Sequence, residues 1–253
     1  MKMNILDGGR VRMRRRIFVP DAAREEQIEM PVISTLFRHP KGNVLFDTGC
    51  HPSVETDAEA RWGGLARLMT PIAAPNTNVV AALAQVGLQP DDIDLVVNSH
   101  LHPDHCGCNC FFRKAQFFCH AAELAAAEAE NSDAQGYRRV EWDLPMRLDT
   151  LTGSHDLFGD GRLVSVPLPG HTPGCMGLRA ELAGDGVFLL AADAVTLKRN
   201  LDRDEVPMNA WDREKLLASY EIVRAEEARG ATVICGHDDE QWRTLRTGVD
   251  AYS

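Results

Sequence analysis

The run SHLHPDH, residues 99–105, places four side chains that are able to ligate metal ions within six residues. Its candidate ligands are His100, His102, Asp104 and His105. The run follows the apolar segment Asp94–Asn98, which predicts a short buried strand. In extended backbone the first two histidines point the same way, and the proline after them begins a turn that directs the last two ligands towards the same space. Imidazole and carboxylate groups bind zinc-like divalent ions, so the run predicts ligands for two ions.

Two ions need more ligands than one run offers, and three further candidates each follow a short apolar segment. His171 lies in PGHTPG, where the glycines and prolines predict a tight loop that lets a side chain approach a metal. Asp193 follows VFLLAA, so its carboxylate is expected to be buried, and a bound cation offsets the cost of burying it. His237 follows TVIC and a glycine.

The order of apolar and helical segments predicts an α/β protein. Pro31–Phe37 and Asn43–Phe46 are predicted to pair as strands around a turn. Asn78–Val86 is predicted to be an amphipathic helix that is capped by Asn76 or Asn78 and ends at Gly87. Asp212 is a candidate N-cap of a helix that ends at Gly230. Hairpin-like strands early and late in the chain indicate two sheets between helices. Further strands are predicted at Ala115–Cys119, Arg162–Pro167, Gly177–Leu182, Val187–Ala191 and Thr232–Cys235, and a helix at Ala121–Glu130.

Charge and cysteine content exclude several classes of protein. The chain has 37 acidic and 27 basic residues, a net charge of −10, which argues against nucleic acid or an anionic membrane as partner. The basic run Arg10–Arg16 is interpreted as a solvated strand or arm. No apolar stretch predicts a membrane span or a secretory signal, and the 7 cysteines fit reduced thiols in a cytoplasm. In CGCNC, residues 106–110, buried thiols are favoured over a thiolate metal site or redox switch.

The chain resembles the metallo-β-lactamase superfamily. The resemblance rests on the HxHxDH run, PGHTPG at 169–174, Asp193, GHD at 236–238 and DTG at 47–49. It implies one domain over residues 1–253 with an αβ/βα sandwich fold, two mixed β-sheets flanked by helices. It implies one metal on His100, His102 and His171, a second on Asp104, His105 and His237, and Asp193 bridging both. A metal-bridging hydroxide is the expected nucleophile, and by family analogy Asp104 is the expected catalytic proton shuttle.

Within that superfamily, three tracts resemble the quorum-quenching N-acyl-homoserine lactone lactonases and the pyridoxolactonase group. They are DAVTLKRN at 193–200, EVP at 205–207 and GHDDEQ at 236–241. One position departs: Thr196 lies where those lactonases carry a tyrosine that contacts substrate. Because the three tracts match, a lactonase is expected in spite of this departure. A hydrolase of another ester, an amide or a phosphotriester remains open, as does a non-catalytic metal-binding sensor or pseudoenzyme.

Candidate substrate contacts are Thr196, Met208 and Trp211. The tract Trp62–Pro71 is either a lid over the substrate or packing against the body. The expected cofactor is a pair of divalent ions, with zinc preferred and manganese, iron and cobalt left open. The expected partner is a small-molecule substrate, and a homodimer is left open.

Overall fold

The computed structural model describes residues 1–74 and 76–253. The strands of this part of the chain are β1 (Lys2–Arg14), β2 (Gln27–His39), β3 (Gly42–Phe46), β4 (Thr70–Pro71), β5 (Leu95–Val97), β6 (Gln116–His120), β7 (Arg147–Leu151), β8 (His155–Asp156), β9 (Leu163–Pro167), β10 (Met176–Leu182), β11 (Gly186–Ala192) and β12 (Thr232–Cys235). The helices are α1 (Val54–Trp62), α2 (Val79–Gln85), α3 (Pro103–Cys106), α4 (Ala121–Glu128), α5 (Arg139–Trp142), α6 (Lys198–Arg203), α7 (Arg213–Ala228) and α8 (Asp239–Trp242).

The strands form two mixed sheets. The first sheet has the order β4-β1-β2-β3-β5-β6-β7, and the second has the order β12-β11-β10-β9-β8. In the first sheet β1, β2 and β3 pair antiparallel, whereas β3, β5, β6 and β7 pair parallel. In the second sheet β11 and β12 are parallel and the other pairs are antiparallel. This mixture accounts for the hairpin-like pairs in the sequence and for the helical crossovers that join the parallel strands.

The main core lies between the sheets. Phe37 and Val97 of the first sheet belong to one buried cluster with Leu178, Leu190 and Ile234 of the second. A second cluster joins the other face of the first sheet to α2, and a third joins the other face of the second sheet to α7. Each sheet is therefore buried on both faces, and the layers run helix, sheet, sheet, helix. The predicted αβ/βα sandwich is confirmed.

The helix ends follow the predicted capping chemistry. Asp212 precedes α7, and its Oδ1 accepts hydrogen bonds from the backbone N–H groups of Glu214 and Lys215, both at 3.0 Å. These bonds satisfy two of the four donors that the first turn of a helix leaves free. Asn78 caps α2 in the same way through the N–H of Ala81, at 3.0 Å. Both helices were predicted from these residues, and the hairpin of β2 and β3 is also confirmed.

The basic run Arg10–Arg16 was interpreted as a solvated strand or arm; its first five residues are strand, Arg15 and Arg16 begin a 3-10 turn, and the run is not a free arm. It lies at the end of β1, a strand between β4 and β2 in which Leu6 and Val11 are fully buried. Arg10 pairs with Asp239 at 2.5 Å and Arg12 with Glu29 at 2.6 Å, so the charges are partly neutralised. β7 and β8 were not predicted, because a five-residue strand with largely exposed polar positions and a two-residue strand carry little periodicity. Among the helices of the described residues, none is long and apolar enough to cross a membrane.

Candidate metal centre

The seven predicted ligands come together at one end of the sandwich. They lie in loops that follow β5, β9, β11 and β12, or in α3, which begins immediately after His102. Apart from His102, which is half-buried, each ligand side chain belongs to a buried residue. The ligand atoms form three overlapping groups, and within each group they lie within 4.8 Å of one another. The groups are His100, His102 and His171; His100, His105 and Asp193; and Asp104, His105 and His237.

Asp193 faces the two outer groups with different oxygen atoms. Its Oδ2 lies 3.4 Å from His171 Nε2, which is 3.1 Å from His102 Nδ1. Its Oδ1 lies 3.3 Å from His105 Nε2 and 3.0 Å from His237 Nε2, and these two nitrogens are 3.2 Å apart. Each oxygen of the carboxylate therefore completes a separate cluster of imidazole nitrogens.

These separations fit ligands that share an ion. Two nitrogen or oxygen ligands at about 2.0–2.1 Å from one tetrahedral ion lie about 3.3 Å apart. The five distances around Asp193, His102, His105, His171 and His237 lie between 3.0 and 3.4 Å. Asp104 Oδ2 lies farther out, at 3.6 Å from His237 Nε2 and 3.7 Å from His105 Nε2.

One ring nitrogen of each of three histidines donates a hydrogen bond to an acceptor outside the cluster, and this leaves the other ring nitrogen free to bind an ion. His102 Nε2 donates to the Gln135 carbonyl at 2.9 Å, and His237 Nδ1 donates to the Pro31 carbonyl at 2.8 Å, because a carbonyl can only accept. His105 Nδ1 donates to Asp47 Oδ2 at 2.9 Å. In the neutral rings the opposite nitrogen of each carries a lone pair, and that nitrogen is the one that faces the cluster. Such outer partners are typical of metal-binding histidines.

A fourth histidine is oriented through a relay. Ser99 Oγ donates to Asp47 Oδ2 at 2.7 Å and accepts from His100 Nδ1 at 3.0 Å. His100 Nε2 then points into the cluster and, like Asp193 Oδ1, is a buried atom with no hydrogen-bond partner. Lone pairs that face one another at about 3 Å without a proton between them repel, and buried polar atoms without partners are costly. A pair of divalent cations would remove both penalties, so the residues present fit the ions that the sequence predicts.

The charges of the cluster favour cations. Burial lowers the pKa of His171 to about 3 and that of His100 well below its ordinary value, so both rings are neutral. Burial acts against the charge of Asp193 as well, but the neighbouring His237, His105 and His171 hold its pKa well below 3.8. The carboxylate is therefore ionised. Burial acts against charge on His105 and His237, but the neighbouring carboxylates raise the pKa of both rings, so each of these two rings would release a proton on binding an ion.

Local backbone geometry places Asp193 and His237 side by side. Ala192, just before Asp193, has φ 47° and ψ −142°, a region that residues other than glycine rarely adopt. A Cβ on Gly236 would lie 2.6 Å from Asp193 Oδ1, so only glycine allows this approach. The glycine before His237 is therefore a requirement of the site.

A cavity of about 410 Å³ opens directly over the cluster. His102, Asp104, His171, Asp193 and His237 lie at its floor. One wall is apolar and is formed by Met13, Ile17, Phe18, Leu65, Leu68 and Met69. Trp62 is fully buried, as expected if the tract Trp62–Pro71 packs against the body, whereas Leu65, Leu68 and Met69 form cavity wall. A lid over the substrate stays a prediction.

Two predicted substrate contacts lie in an adjoining cavity of about 250 Å³. Met208 and Trp211 line this second cavity and are 71% and 45% exposed, respectively. The two cavities share Gln135, His171 and Asn209 in their walls. The backbone N–H of Trp211 also donates to the carbonyl of His171 at 3.0 Å, so this segment supports a ligand loop.

Thr196 is placed differently from the other predicted contacts. It is 1% exposed and lies behind Asp193, where its Oγ1 donates to the Asp193 carbonyl at 3.4 Å. Its own carbonyl accepts from the N–H of His237 at 3.0 Å. Among the residues that the structure describes, Thr196 is not one of those that line either cavity. A direct contact between Thr196 and substrate therefore stays a prediction, and the observed role of Thr196 is to join two ligand loops.

The cysteines near the site behave as core residues. Cys106 and Cys108 are fully buried, and burial raises the pKa of each thiol well above its ordinary value. Cys110 is half-buried, with a pKa that burial also raises. The prediction of buried thiols is confirmed for the first two, which are protonated and poor ligands. His120, another histidine near the run, caps α4 by accepting from the N–H of Ala122 at 3.2 Å.

Several functional partners escaped sequence reasoning. Asp47 was noted only as part of the DTG turn, and the carbonyls of Pro31 and Gln135 have no sequence signal because any residue supplies a carbonyl. Glu123 was hidden in a predicted alanine-rich helix, where an acidic residue is expected to face solvent. The structure instead buries Glu123 completely.

The chain is similar in sequence and in structure to known proteins. The chain is 31% identical to "N-acyl homoserine lactonase AttM" of Azorhizobium caulinodans, over 88% of each chain. It is 30% identical to "N-acyl homoserine lactonase AiiB" of Agrobacterium fabrum, over 99% of this chain and 98% of the relative. A solved N-acyl homoserine lactone hydrolase with N-hexanoyl-L-homoserine bound at its catalytic metal centre superposes with a TM-score of 0.88 at 26% identity. That superposition covers 99% of this chain and 98% of the other.

The family model of the metallo-beta-lactamase superfamily matches residues 29–237. This range begins within β2 and includes all seven ligands, the whole second sheet and every strand of the first sheet that follows β2 in the chain. On the matched range and on the geometry of the ligand cluster, the chain belongs to the metallo-beta-lactamase superfamily.

Proposed function

We propose that the protein is a dinuclear metal-dependent hydrolase that opens a lactone ring, with N-acyl homoserine lactones as its substrate class. The observation that carries the proposal is the position of Asp193, whose two oxygens face two separate imidazole clusters at the floor of a cavity with an apolar wall. The relatives named as N-acyl homoserine lactonases support the choice of a lactone.

The ligands divide between two ions around Asp193. We assign His100, His102 and His171 to the first ion, Asp104, His105 and His237 to the second, and Asp193 to both. When bound, two divalent ions lower the pKa of water to near neutrality and polarise a substrate carbonyl. The nitrogen and oxygen donors favour zinc, and manganese, iron and cobalt accept the same set.

The residues of the chain supply orientation and proton transfer. The apolar wall with Leu65, Leu68 and Met69 holds an acyl group and excludes water from one side of the scissile ester. Asp104 lines the cavity, is 6% exposed, and carries its Oδ2 at the edge of the cluster. This oxygen takes up the proton released when water attacks and delivers it to the leaving alkoxide, which remains attached because the ester is a ring.

The second cavity extends the substrate site. Met208 and Trp211 contact the part of the substrate that projects past Asn209, while Thr196 acts through the backbone of Asp193 and His237. Replacing Trp211 by alanine is expected to raise KM for bulky substrates with little effect on kcat, whereas replacing Thr196 by alanine is expected to reduce kcat.

Other properties of the protein follow from the same proposal. The free cysteines, most of them buried, suit a reducing cytoplasm. The net charge of −10 favours a small molecule over nucleic acid or membrane as partner. Residues 1–253 are expected to unfold as one domain, because Tyr252 near the C-terminus pairs with Met3 of β1. A homodimer stays a prediction that sedimentation velocity can check.

The decisive experiment is a substrate panel with and without chelator. Acyl-homoserine, aromatic-fused and simple aliphatic lactones are compared with a thioester and a phosphotriester. We expect lactones to be hydrolysed fastest and the activity to be lost with chelator and restored by zinc. A protein that binds two ions and hydrolyses none of the panel would be a non-catalytic binding module, and a marked preference for the phosphotriester would reassign the substrate class.

Single substitutions test the ligand assignment. His102→Ala and Asp193→Ala are each expected to abolish turnover and to lower the metal content of the purified protein. The matched control is His155→Ala, which removes an exposed histidine at β8, away from the cluster. Wild-type rates in either ligand variant would contradict the assignment.

The apolar wall has its own control. Leu68, 63% exposed, lines the cavity, whereas Ile222, 42% exposed, lies on α7 outside it. Leu68→Ala is expected to lower kcat/KM for long acyl chains several-fold relative to short chains, and Ile222→Ala is expected to leave that ratio unchanged. Equal ratios in both variants would place the acyl group elsewhere.

A further inference from the structure

Glu123 is a fully buried carboxylate that touches two ligand loops at once. It lies in the first turn of α4 and is 0% exposed. Its Oε1 accepts from the backbone N–H of Leu101 at 3.0 Å, and its Oε2 accepts from the backbone N–H of Gly174 at 3.0 Å. Each oxygen therefore accepts from one backbone N–H, and these two N–H groups belong to loops more than seventy residues apart in the chain.

The two donors flank the three ligands assigned to the first ion. Leu101 lies between His100 and His102, and Gly174 lies three residues after His171. The length and planarity of one carboxylate thus fix the separation of the loop that carries His100 and His102 from the loop that carries His171. The ligands of the second ion depend instead on Asp47 and on the Pro31 carbonyl.

The approach of α4 to the second loop is close enough to require glycine. A Cβ on Gly174 would lie 2.3 Å from the backbone nitrogen of Glu123 and 2.6 Å from its Cβ. Backbone packed at this distance leaves the Glu123 side chain little freedom, so the carboxylate is held rigidly against both N–H groups.

A carboxylate is the side chain that this position demands. Two N–H groups converge on it, and a carboxylate accepts with both oxygens, whereas an amide accepts with one oxygen and donates with its nitrogen. A buried charge is retained where it accepts hydrogen bonds that no neutral side chain of that shape can replace. In the described part of the chain Glu123 makes no ion pair with a lysine or arginine, so its role is not that of a structural salt bridge.

We propose that Glu123 is a positioning residue that sets the spacing of the first ion's ligands by clamping the Leu101 and Gly174 N–H groups. The inference rests on the proposed division of ligands between two ions. In this assignment Glu123 contacts neither an ion nor the substrate, and it affects binding of the first ion more than binding of the second.

The test uses Glu123→Gln in backgrounds that retain one ion each. His237→Ala keeps the first ion's ligands, and His102→Ala keeps those of the second. Zinc affinity is measured in metal-free protein by competition with a chromophoric chelator. Glu123→Gln is expected to weaken binding about 10–100-fold in the His237→Ala background, the usual effect of losing an outer partner, and less than about 3-fold in the His102→Ala background.

The control is Glu141→Gln, which neutralises another fully buried glutamate. Glu141 accepts from the Arg61 side chain at 2.7 Å and from Trp62 Nε1 at 3.1 Å, and neither of these partners belongs to a ligand loop. It is expected to lower stability without changing the zinc affinity of either background. In the otherwise wild-type chain, Glu123→Gln should lose kcat at limiting zinc and recover it with excess zinc, whereas a general loss of fold would not recover.

The outcomes separate the inference from the proposed function. Equal zinc affinities with and without Glu123→Gln in the His237→Ala background would overturn the clamp while leaving the two-ion site intact. Failure of the unsubstituted protein to bind zinc would overturn the proposed function itself. If Glu123→Gln does not fold, Glu123→Asp, which keeps the charge but is one methylene too short to span both donors, is expected to show the same selective loss. An Asp variant that binds both ions normally would equally refute the clamp.

Discussion

Replacing Asp47 by asparagine changes a buried carboxylate that orients His105 directly and His100 through Ser99. Asp47 is 2% exposed; its Oδ1 accepts from the Ser99 N–H at 2.7 Å, and its Oδ2 accepts from Ser99 Oγ at 2.7 Å and His105 Nδ1 at 2.9 Å. An asparagine has one acceptor oxygen. If that oxygen stays on the Ser99 N–H, the amide nitrogen faces the N–H of His105, and two donors then point at each other.

The expected magnitude follows from that mismatch. A hydrogen bond to a charged group contributes about 1.5–3 kcal/mol. Loss of an outer partner typically weakens metal binding about 10–100-fold, which is about 1.4–2.7 kcal/mol. The two ranges agree, so we expect the zinc dissociation constant of the second ion to rise about 10–100-fold in Asp47→Asn. The first ion should be affected less, because Asp47 reaches His100 only through Ser99.

Competition between the protein and a chromophoric chelator measures both constants. The control is Asp156→Asn, which alters a carboxylate that accepts from the N–H groups of Phe158, Gly159 and Gly161 in a turn outside the site. A folded Asp47→Asn protein whose two zinc constants lie within about 3-fold of wild type would refute the reasoning, because outer-partner losses are normally larger. A change of equal size in the Asp156→Asn control would point to a global effect.

Three further predictions concern the scaffold. Asp212→Ala should lower the free energy of unfolding by about 1 kcal/mol, because two N–H groups at the start of α7 lose their acceptor; denaturant unfolding measures it, and an unchanged midpoint would contradict the cap. Ala192→Gly should be about 1 kcal/mol less destabilising than Ala191→Gly in metal-free protein, since it relieves strain at φ 47°, and equal losses would show that this backbone is not strained. Hydrogen bonding from Arg162 holds the pKa of Asp160 at about 2, below 3.8, so its stabilisation is present above that ordinary value and is lost as pH falls towards 2. In metal-free protein, Asp160→Asn should therefore make the thermal unfolding midpoint less dependent on pH across that interval. An unchanged pH dependence of the midpoint would show that the ionisation of Asp160 is not linked to folding.

The sequence predicts those parts of the site whose functional residues lie close together in the chain or directly after a recognisable strand. Four ligands are adjacent in the SHLHPDH run, and Asp193 follows an apolar strand in which a carboxylate would otherwise be unexplained. The helix that Asp212 caps and the hairpin of β2 and β3 were predictable for the same reason, since capping and turn residues act over three or four positions.

The parts that the sequence does not predict depend on contacts between distant segments. Glu123 and Asp47 resemble ordinary acidic residues until the fold brings Gly174 and His105 to them. β1 is buried because β4 and β2 lie on either side of it. The basic run itself carries no sign of these neighbours, so the sequence alone indicates a solvated segment. Thr196 lies behind Asp193, and the backbone at Ala192 has a positive φ, and neither feature has a sequence signal.

The floor and the walls of the larger cavity come from separate stretches of chain. Every assigned ligand lies at 100–105, 171, 193 or 237, whereas the walls come largely from residues 13–30, 64–69 and 133–138. Substitutions in the first two of these wall segments can therefore change which molecules are accepted without altering a ligand, whereas segment 133–138 also supplies the Gln135 carbonyl that accepts from His102. A library randomised at Leu65, Leu68 and Met69 should yield many folded, metal-loaded members with divergent substrate ranges, which makes this scaffold suited to directed evolution.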